Sequence, residues 1–305
     1  MVGQDGGSWR LSLDVSTSRG LTGGHPEDEG ISPDGRVIRV AEHAHRVELD
    51  LTRYELGLSR TFDETWDSYL RIPYFVKDQT AEVIFAEGTP AADRDAAIRS
   101  GRYHHRTATY EGFSDFELGV GWRKRDILGE GSVFRFSLGV ALPTGDYVKD
   151  DPLQAGDVGL EHLHIQFGNG TFDPLVDFYL GIPLSKKWSF NLYGKGRFPL
   201  YENDAGYLGS VEGMLIPRLT YLVTKDLSLS AGVSASYFGY AEWNGRRDPN
   251  SGQFSTNAAL SVGYKFNEHL TGSFSSLLPL STKTFSGEDA LDPSPTFTLS
   301  VAWTF

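Results

Sequence analysis

Apolar and polar side chains alternate one for one through most of this chain, and that period restricts the fold more than any other feature. In the closing stretch FTLSVAWTF, Phe297, Leu299, Val301, Trp303 and Phe305 share one phase, while Thr298, Ser300, Ala302 and Thr304 share the other. The same alternation runs through 9–15, 116–122, 188–200 and 227–237. A period of two belongs to a strand with two unlike faces, whereas a helix repeats every 3.6 residues. Helical periodicity is nearly absent, its best candidate being TPAADRDAAIRS at 89–100. The chain is read as all-β.

The connections between alternating segments are lopsided. Short ones fall at DET (63–65), RDILGEG (125–131), SKK (185–187), TKD (224–226) and NEH (267–269). Between them lie long polar ones at 19–36, 78–111, 144–171, 241–252 and 283–295, with 201–206 as the exception. In an up-and-down barrel this alternation puts every short turn on one rim and every long loop on the other. Strands are expected near 8–18, 43–62, 66–77, 113–124, 132–143, 172–183, 188–200, 207–223, 227–239, 253–266, 269–282 and 296–305. The pattern predicts a single domain over 1–305, a membrane-spanning, up-and-down antiparallel β-barrel of about 12 strands. Its short turns are periplasmic and its long loops extracellular. A soluble sandwich or lipocalin-like barrel would also alternate along its strands, but has no reason to alternate its connections.

Closure requires the first and last strands to pair, which explains a chain that stops on an aromatic residue inside a strand. An open edge in lipid would leave backbone groups unsatisfied at a cost of several kcal/mol each. Trp9, Trp66, Trp122, Trp188, Trp303 and Phe305 lie near strand ends, where an interfacial girdle is expected. The second strand changes phase: Val47, Leu49 and Leu51 follow one, and Tyr54, Leu56, Leu58 and Phe62 the other. A β-bulge near Thr52 and Arg53 reconciles the two, with a pair of separate strands as the alternative.

Composition narrows the partners. A net charge of −12 argues against nucleic acid, and the absence of Cys removes disulfides, thiol nucleophiles and thiolate metal sites. No apolar run reaches the roughly 18–20 residues of a transmembrane helix. After Met1 the residues VGQDGG lack a basic and apolar leader, so the protein is expected to be exported with its signal peptide absent from this chain. The expected location is the bacterial outer membrane, with lipid bilayer and lipopolysaccharide around the barrel. The final strand resembles the C-terminal signal read by the barrel-assembly machinery, with Phe305 last and Ser300 where glycine is frequent.

Pro73, Pro143, Pro199 and Pro279 each fall on the inward phase near the long-loop rim, in RIPYF, ALPTGDY, RFPLY and LLPLS. Proline donates no ladder hydrogen bond, so each is read as a strand terminator. The segments GFSDFELGVGWR (112–123), FSLGVALPTGDY (136–147) and GNGTFDP (168–174) resemble a bacterial outer-membrane barrel family, the MetA-pathway phenol-degradation and transporter proteins. That resemblance implies an outer-membrane barrel that moves small hydrophobic or aromatic compounds, and it carries over no catalytic or binding residue.

Phase assignment turns a mixed set of charges inward. Arg71, Glu117, Arg135, Asp177, Lys195, Arg197, Glu212 and Arg218 are the candidates for lining the lumen and setting selectivity. They either brace the barrel as ion pairs or border an aqueous path. The last four strands turn mostly Ser, Thr, Gly and Ala inward. Tyr69, Phe75, Tyr179, Met214, Ile216 and Phe238 share the inward phase, as an apolar patch for a solute or as packing under a loop.

The histidine pairs His43/His45, His104/His105 and His162/His164 invite a metal, but no acidic ligand is set by spacing, so no metal ligand and no cofactor are expected. The acidic stretches HPEDEG (25–30) and DYVKDD (146–151) lack calcium-loop spacing and are read as solvated loops. An outer-membrane hydrolase would need a lipid-facing Ser–His pair. His162 and His164 fall in a loop and His269 at a turn, so no enzymatic activity is expected and no catalytic residue is assigned. The leading expectation is a passive channel or transporter for small solutes, hydrophobic or aromatic ones among them. The alternative is a non-conducting structural or surface-interaction barrel whose long loops bind a partner.

Overall fold

The computed structural model describes residues 7–163, 165–285 and 292–305. Residues 1–6, which carry the expectation about a leader, His164 of the 162/164 pair, and 286–291 of the last long connection lie outside the described residues.

Strands β1 (Trp9–Ile31), β2 (Val37–Thr61) and β3 (Trp66–Phe85) come first, followed by helix α1 (Ala91–His104). Next are β4 (Ala108–Phe113), β5 (Glu117–Arg125), β6 (Val133–Ala141) and the short helix α2 (Pro152–Asp157). The chain continues through β7 (Asp173–Pro183), β8 (Trp188–Arg197), β9 (Tyr207–Leu208), β10 (Glu212–Leu222) and β11 (Leu227–Phe238). It ends with β12 (Glu242–Trp243), β13 (Arg246–Arg247), β14 (Gln253–Lys265), β15 (Leu270–Thr284) and β16 (Thr296–Thr304). Twelve strands close an antiparallel barrel, with β4 as an extra strand; β9, β12 and β13 form a small separate sheet.

Closure follows the expected route. β1 and β16 pair from Arg10↔Thr304 to Ser18↔Thr296. Four of the short turns are tied by one device, a small polar side chain at the turn's start accepting two backbone N–H groups. Asp63 Oδ1 accepts from Thr65 and Trp66, Ser185 Oγ from Lys187 and Trp188, Thr224 Oγ1 from Asp226 and Leu227, and Asn267 Oδ1 from His269 and Leu270. Asx- and Ser/Thr-turns of this kind reverse a strand in few residues.

The outward phase carries the exposed apolar residues, among them Leu13, Leu56, Val120, Leu138, Leu260 and Leu299. Trp66, Trp188, Trp303 and Phe305 are exposed at the short-turn rim. At the far side of the band Tyr74 meets Phe113 edge-on, with ring centroids 5.1 Å apart. From Trp66 to Tyr74, a rise of about 3.3 Å per residue gives roughly 26 Å along the strand, or about 20 Å of height at a tilt of about 35–45°, most of an apolar band about 25 Å tall.

Beyond that band β1, β2 and β3 continue as a three-stranded extension, so the expected loops 19–36 and 78–111 are largely strand and helix. The phase change in β2 has a different origin from the expected bulge. Pairing of β2 with β3 runs without interruption through Thr52↔Val76 and Arg53↔Phe75. The irregularity lies instead on β1, between Ser18 and Leu21. Tyr54 and Leu56 face lipid, whereas Val47 and Leu49 face inward above the membrane, where Glu48 and Asp50 occupy the outward face. The environment reverses along one regular strand, and the apolar phase reverses with it.

Two of the four prolines act as expected: Pro143 and Pro199 follow the ends of β6 and β8. Pro73 and Pro279 do not end their strands. Pro73 sits where β3 changes partner from β5 to β4, and Pro279 sits at the register shift between β14 and β15. A ladder irregularity needs no proline N–H, so the strand passes through.

Helix α1 lies against the extension, close to the expected 89–100. Ala96 and Ala97 are buried with Val40, and Val83 and Phe85 pack beside them. Asp93 Oδ2 accepts the Ala41 N–H at 2.9 Å, and Arg99 Nε donates to the Ile31 carbonyl at 2.7 Å.

Candidate functional site

The charged wall of the lumen spans β3, β5, β6, β7 and β8. Cross-strand register turns Arg71, Glu117, Arg135, Asp177, Lys195 and Arg197 to the inner face, and the structure gathers them into connected clusters. Glu117 accepts from Arg71 Nη1 at 2.9 Å and from Lys195 Nζ at 2.7 and 2.8 Å. Asp177 accepts from the hydroxyls of Tyr69 at 3.0 Å and Tyr193 at 3.1 Å, with Arg71 at 3.5 Å. Arg135 forks onto Asp67 with contacts of 2.5–3.1 Å, and Arg123 reaches the same carboxylate at 3.2 Å. A charge withdrawn from water on this scale is tolerated only with an opposite partner and full hydrogen bonding.

A second clamp holds the loop between β6 and β7. Arg197 Nη2 lies 2.5 Å from both Asp115 and Asp173, each fully or almost fully buried. Asp115 also accepts the N–H of Gly145 and of Asn169, and Asp173 accepts from the Asn169 amide and the Thr171 hydroxyl. The sequence reading passed over Asp173, although it stands in the quoted segment GNGTFDP; its neighbours Asn169 and Thr171 were the available signal.

The remaining two candidates lie on β10, at the edge of the charged wall. Glu212 pairs in register with Arg197, and Arg218 with Asn191. Among the described residues no carboxylate stands within 4.0 Å of Arg218. From there round to β1 the wall is built mostly of small inward residues, with Lys265 an exception: Ser230, Ser261, Ser275 and Thr298 form one continuous row of cross-strand partners. Of the expected inward apolar patch, Tyr69 and Tyr179 are instead hydrogen-bonded, to Asp177 and to Asn191. Phe75 lies between Arg53 and Lys77, 5.7 and 5.6 Å from its ring centre.

Cavities mark the lumen among the described residues, one of about 330 Å³ against Ser228, Lys265, Ser273 and Ser300 on the small-residue wall and two larger. One of about 480 Å³ at the short-turn end is bordered by Arg10, Asp14, Glu55, Arg71 and Arg135. The other, also about 480 Å³, opens at the extracellular mouth against Val47, Leu49, Ile165, Phe238, Lys77 and Gln79.

Above the membrane the extension brings together His25, Glu27, His43, His45 and His105, a grouping invisible in the separate sequence pairs. His25↔His45 and Glu27↔His43 are cross-strand partners, and His105 arrives at the C-terminal cap of α1. HPEDEG is therefore strand rather than solvated loop. Burial, then His25 and His43, pull the His45 imidazole down to about 3, so it stands neutral, while burial pushes the Glu27 carboxyl up.

A closed barrel with an apolar, aromatic-rimmed outside and a charged inside defines a membrane protein of the bacterial outer-membrane β-barrel fold. No family model and no curated protein matches the sequence. Among solved structures, the chain resembles an outer-membrane channel of Pseudomonas putida F1 over 99% of its own length and 97% of the other, with 12% identity and a TM-score of 0.62. It also matches the P. putida toluene transporter TodX (10% identity, 99% and 90% covered, TM-score 0.39). A Pseudomonas aeruginosa FadL homologue is similarly distant (11% identity, 98% and 90% covered, TM-score 0.41). The first likeness establishes the fold; the other two are too loose to carry an argument. The outer-membrane barrel implied by segments 112–174 is borne out at that level.

Proposed function

We propose that this barrel is a passive outer-membrane channel for small solutes, hydrophobic or aromatic ones among them. The division of its lumen carries the reading. Buried ion pairs brace and fill one wall, while the opposite wall presents Ser230, Ser261, Ser275 and Thr298, which leave room beside the network. Eight strands enclose an interior filled by side chains and sixteen leave a wide channel, so twelve with one small-residue wall suit a narrow conduit. The extracellular cavity, about 480 Å³, combines Val47, Leu49, Ile165 and Phe238 with Lys77 and Gln79. A cavity of about 150 Å³ already holds benzene, so an aromatic solute fits with space for water. Arg71, Glu117, Arg135, Asp177, Lys195, Arg197, Glu212 and Arg218 set the field of the path, with Arg218 the most available to a passing ion.

Planar-bilayer recording on folded protein tests this. Discrete current steps, reduced when a small aromatic solute such as benzoate is added, are expected. Silence from protein that keeps heat-modifiable gel mobility would overturn the channel and leave as the reading the surface-interaction barrel whose long loops bind a partner.

A further inference from the structure

The histidine cluster of the extracellular extension lies outside the residues that carry the channel reading, although His25 and His105 border its mouth cavity, and its geometry is that of a ligand set. We propose that His25, His45 and His105, with Glu27 and His43 beside them, bind one divalent transition-metal ion, of which Zn²⁺ is the best fit.

The spacings favour it. Around a tetrahedral ion with Zn–N bonds of about 2.05 Å, neighbouring donor atoms stand about 3.3 Å apart. Here His25 Nε2 and His105 Nε2 are 3.3 Å apart, His45 Nε2 and Glu27 Oε2 3.3 Å, and His43 Nε2 and His45 Nε2 3.1 Å. The donor atoms of His25, His45 and His105 all lie within 4.8 Å of one another, as do those of Glu27, His43 and His45. Contraction by up to about 1.5 Å is within the reach of side-chain rotation.

The ring orientations agree. His43 Nδ1 is 3.1 Å from the Ala41 carbonyl and His25 Nδ1 is 3.4 Å from that of Pro26. A ring that donates from Nδ1 to a carbonyl turns the Nε2 lone pair to the metal, the supporting contact that ligating histidines usually have. His43 and His45 are buried, at 4% and 2% exposure, which keeps competing water from the donors. Imidazoles with one carboxylate select Zn²⁺, Cu²⁺ or Ni²⁺ over Ca²⁺ and Mg²⁺.

His25 and His45 face each other across the β1–β2 hairpin, whereas His105 comes from the end of α1, remote in sequence from both. One ion would therefore staple the helix to the hairpin at the barrel mouth, beside the cavity that His25 and His105 also line.

The test uses untagged, full-length protein in detergent, shown to be folded by heat-modifiable mobility, titrated with Zn²⁺ against a chromophoric chelator. About one Zn²⁺ per chain is expected, undiminished by excess Mg²⁺ or Ca²⁺, with Co²⁺ giving the intense visible absorption of tetrahedral coordination. His105→Asn and His45→Asn should each weaken binding by at least the roughly 10–100-fold that loss of a supporting contact costs a metal site. His269→Asn, at a periplasmic turn, should leave binding unchanged. Absence of Zn²⁺ binding by the folded protein, or binding unaltered in both His105→Asn and His45→Asn, would overturn the proposal. His105 is only partly buried, so that variant remains informative even where His45→Asn disturbs folding.

Discussion

Trp9 and Phe305 exchange two backbone hydrogen bonds, each N–H donating to the other's carbonyl at 2.8 Å. They are the last rungs of the β1–β16 seam, at the rim where the short turns lie. At about 0.5–1.5 kcal/mol per bond, deleting Phe305 should weaken the seam without opening it. Removing all of 297–305 leaves β1 and β15 with bare edges in lipid. The expected results are a lower temperature for the gel-mobility shift in the single deletion, and no folded band at all in the long one.

Glu117 is the hub of the charged wall, so its loss strands Lys195 and weakens the pairing of Arg71. Glu117→Ala leaves Lys195 without a carboxylate and Arg71 with only its longer, 3.5 Å contact to Asp177, a change expected to destabilise the barrel by about 3–5 kcal/mol. Urea unfolding followed by tryptophan fluorescence should shift its midpoint accordingly. Adding Lys195→Met to Glu117→Ala should recover part of the loss, because the unpaired charge is gone.

Arg218 and Ser261 test the path from its two sides. If ions pass along the small-residue wall, Arg218→Glu replaces a cation with no carboxylate within 4.0 Å among the described residues and should move the reversal potential in a salt gradient toward cation selectivity. Ser261→Tyr adds a ring where the wall is thinnest and should lower the single-channel current by half or more. Leu260→Tyr, one residue along and facing lipid, should leave the current unchanged.

Gly30 lies under α1. A Cβ there would stand 2.9 Å from the Ala96 carbonyl carbon and 3.0 Å from its Cβ. Gly30→Val should therefore lift the helix, at an overpacking cost of about 1–3 kcal/mol, while the barrel below stays folded. Faster tryptic cleavage at Arg94, Arg99 or Arg102, with unchanged heat-modifiable mobility, is the expected signature.

A metal ion bound by His25, His45 and His105 would act on the same helix in the opposite sense. Added Zn²⁺ should slow tryptic cleavage of α1 several-fold, and EDTA should restore the faster rate. In His105→Asn the cleavage rate should not respond to either.

Much of this architecture is legible in single residues. The small polar residues at 63, 185, 224 and 267 announce tight turns because their side chains can hold two N–H groups without help from the rest of the fold. The inward charges of the first eight strands are legible too, since period-two alternation assigns each a face. Which carboxylate meets which cation is not: Glu117 joins Arg71 on the neighbouring β3 and Lys195 on β8, three strands round the same wall, and that choice depends on strand tilt and curvature. The phase change in β2 is visible, but its cause is not, because a reversal of environment and a bulge write the same pattern.

Period-two alternation, alternating connection lengths and the aromatic final strand are local properties, and they sufficed for an all-β barrel of twelve strands with its ends sealed together. The height of β1–β3 above the membrane, the passage of β3 and β15 through Pro73 and Pro279, and the gathering of His25, His45 and His105 were decided by tertiary structure alone. Local periodicity reports which face of a strand is buried. Only the register of partners far apart in sequence determines what each buried side chain meets.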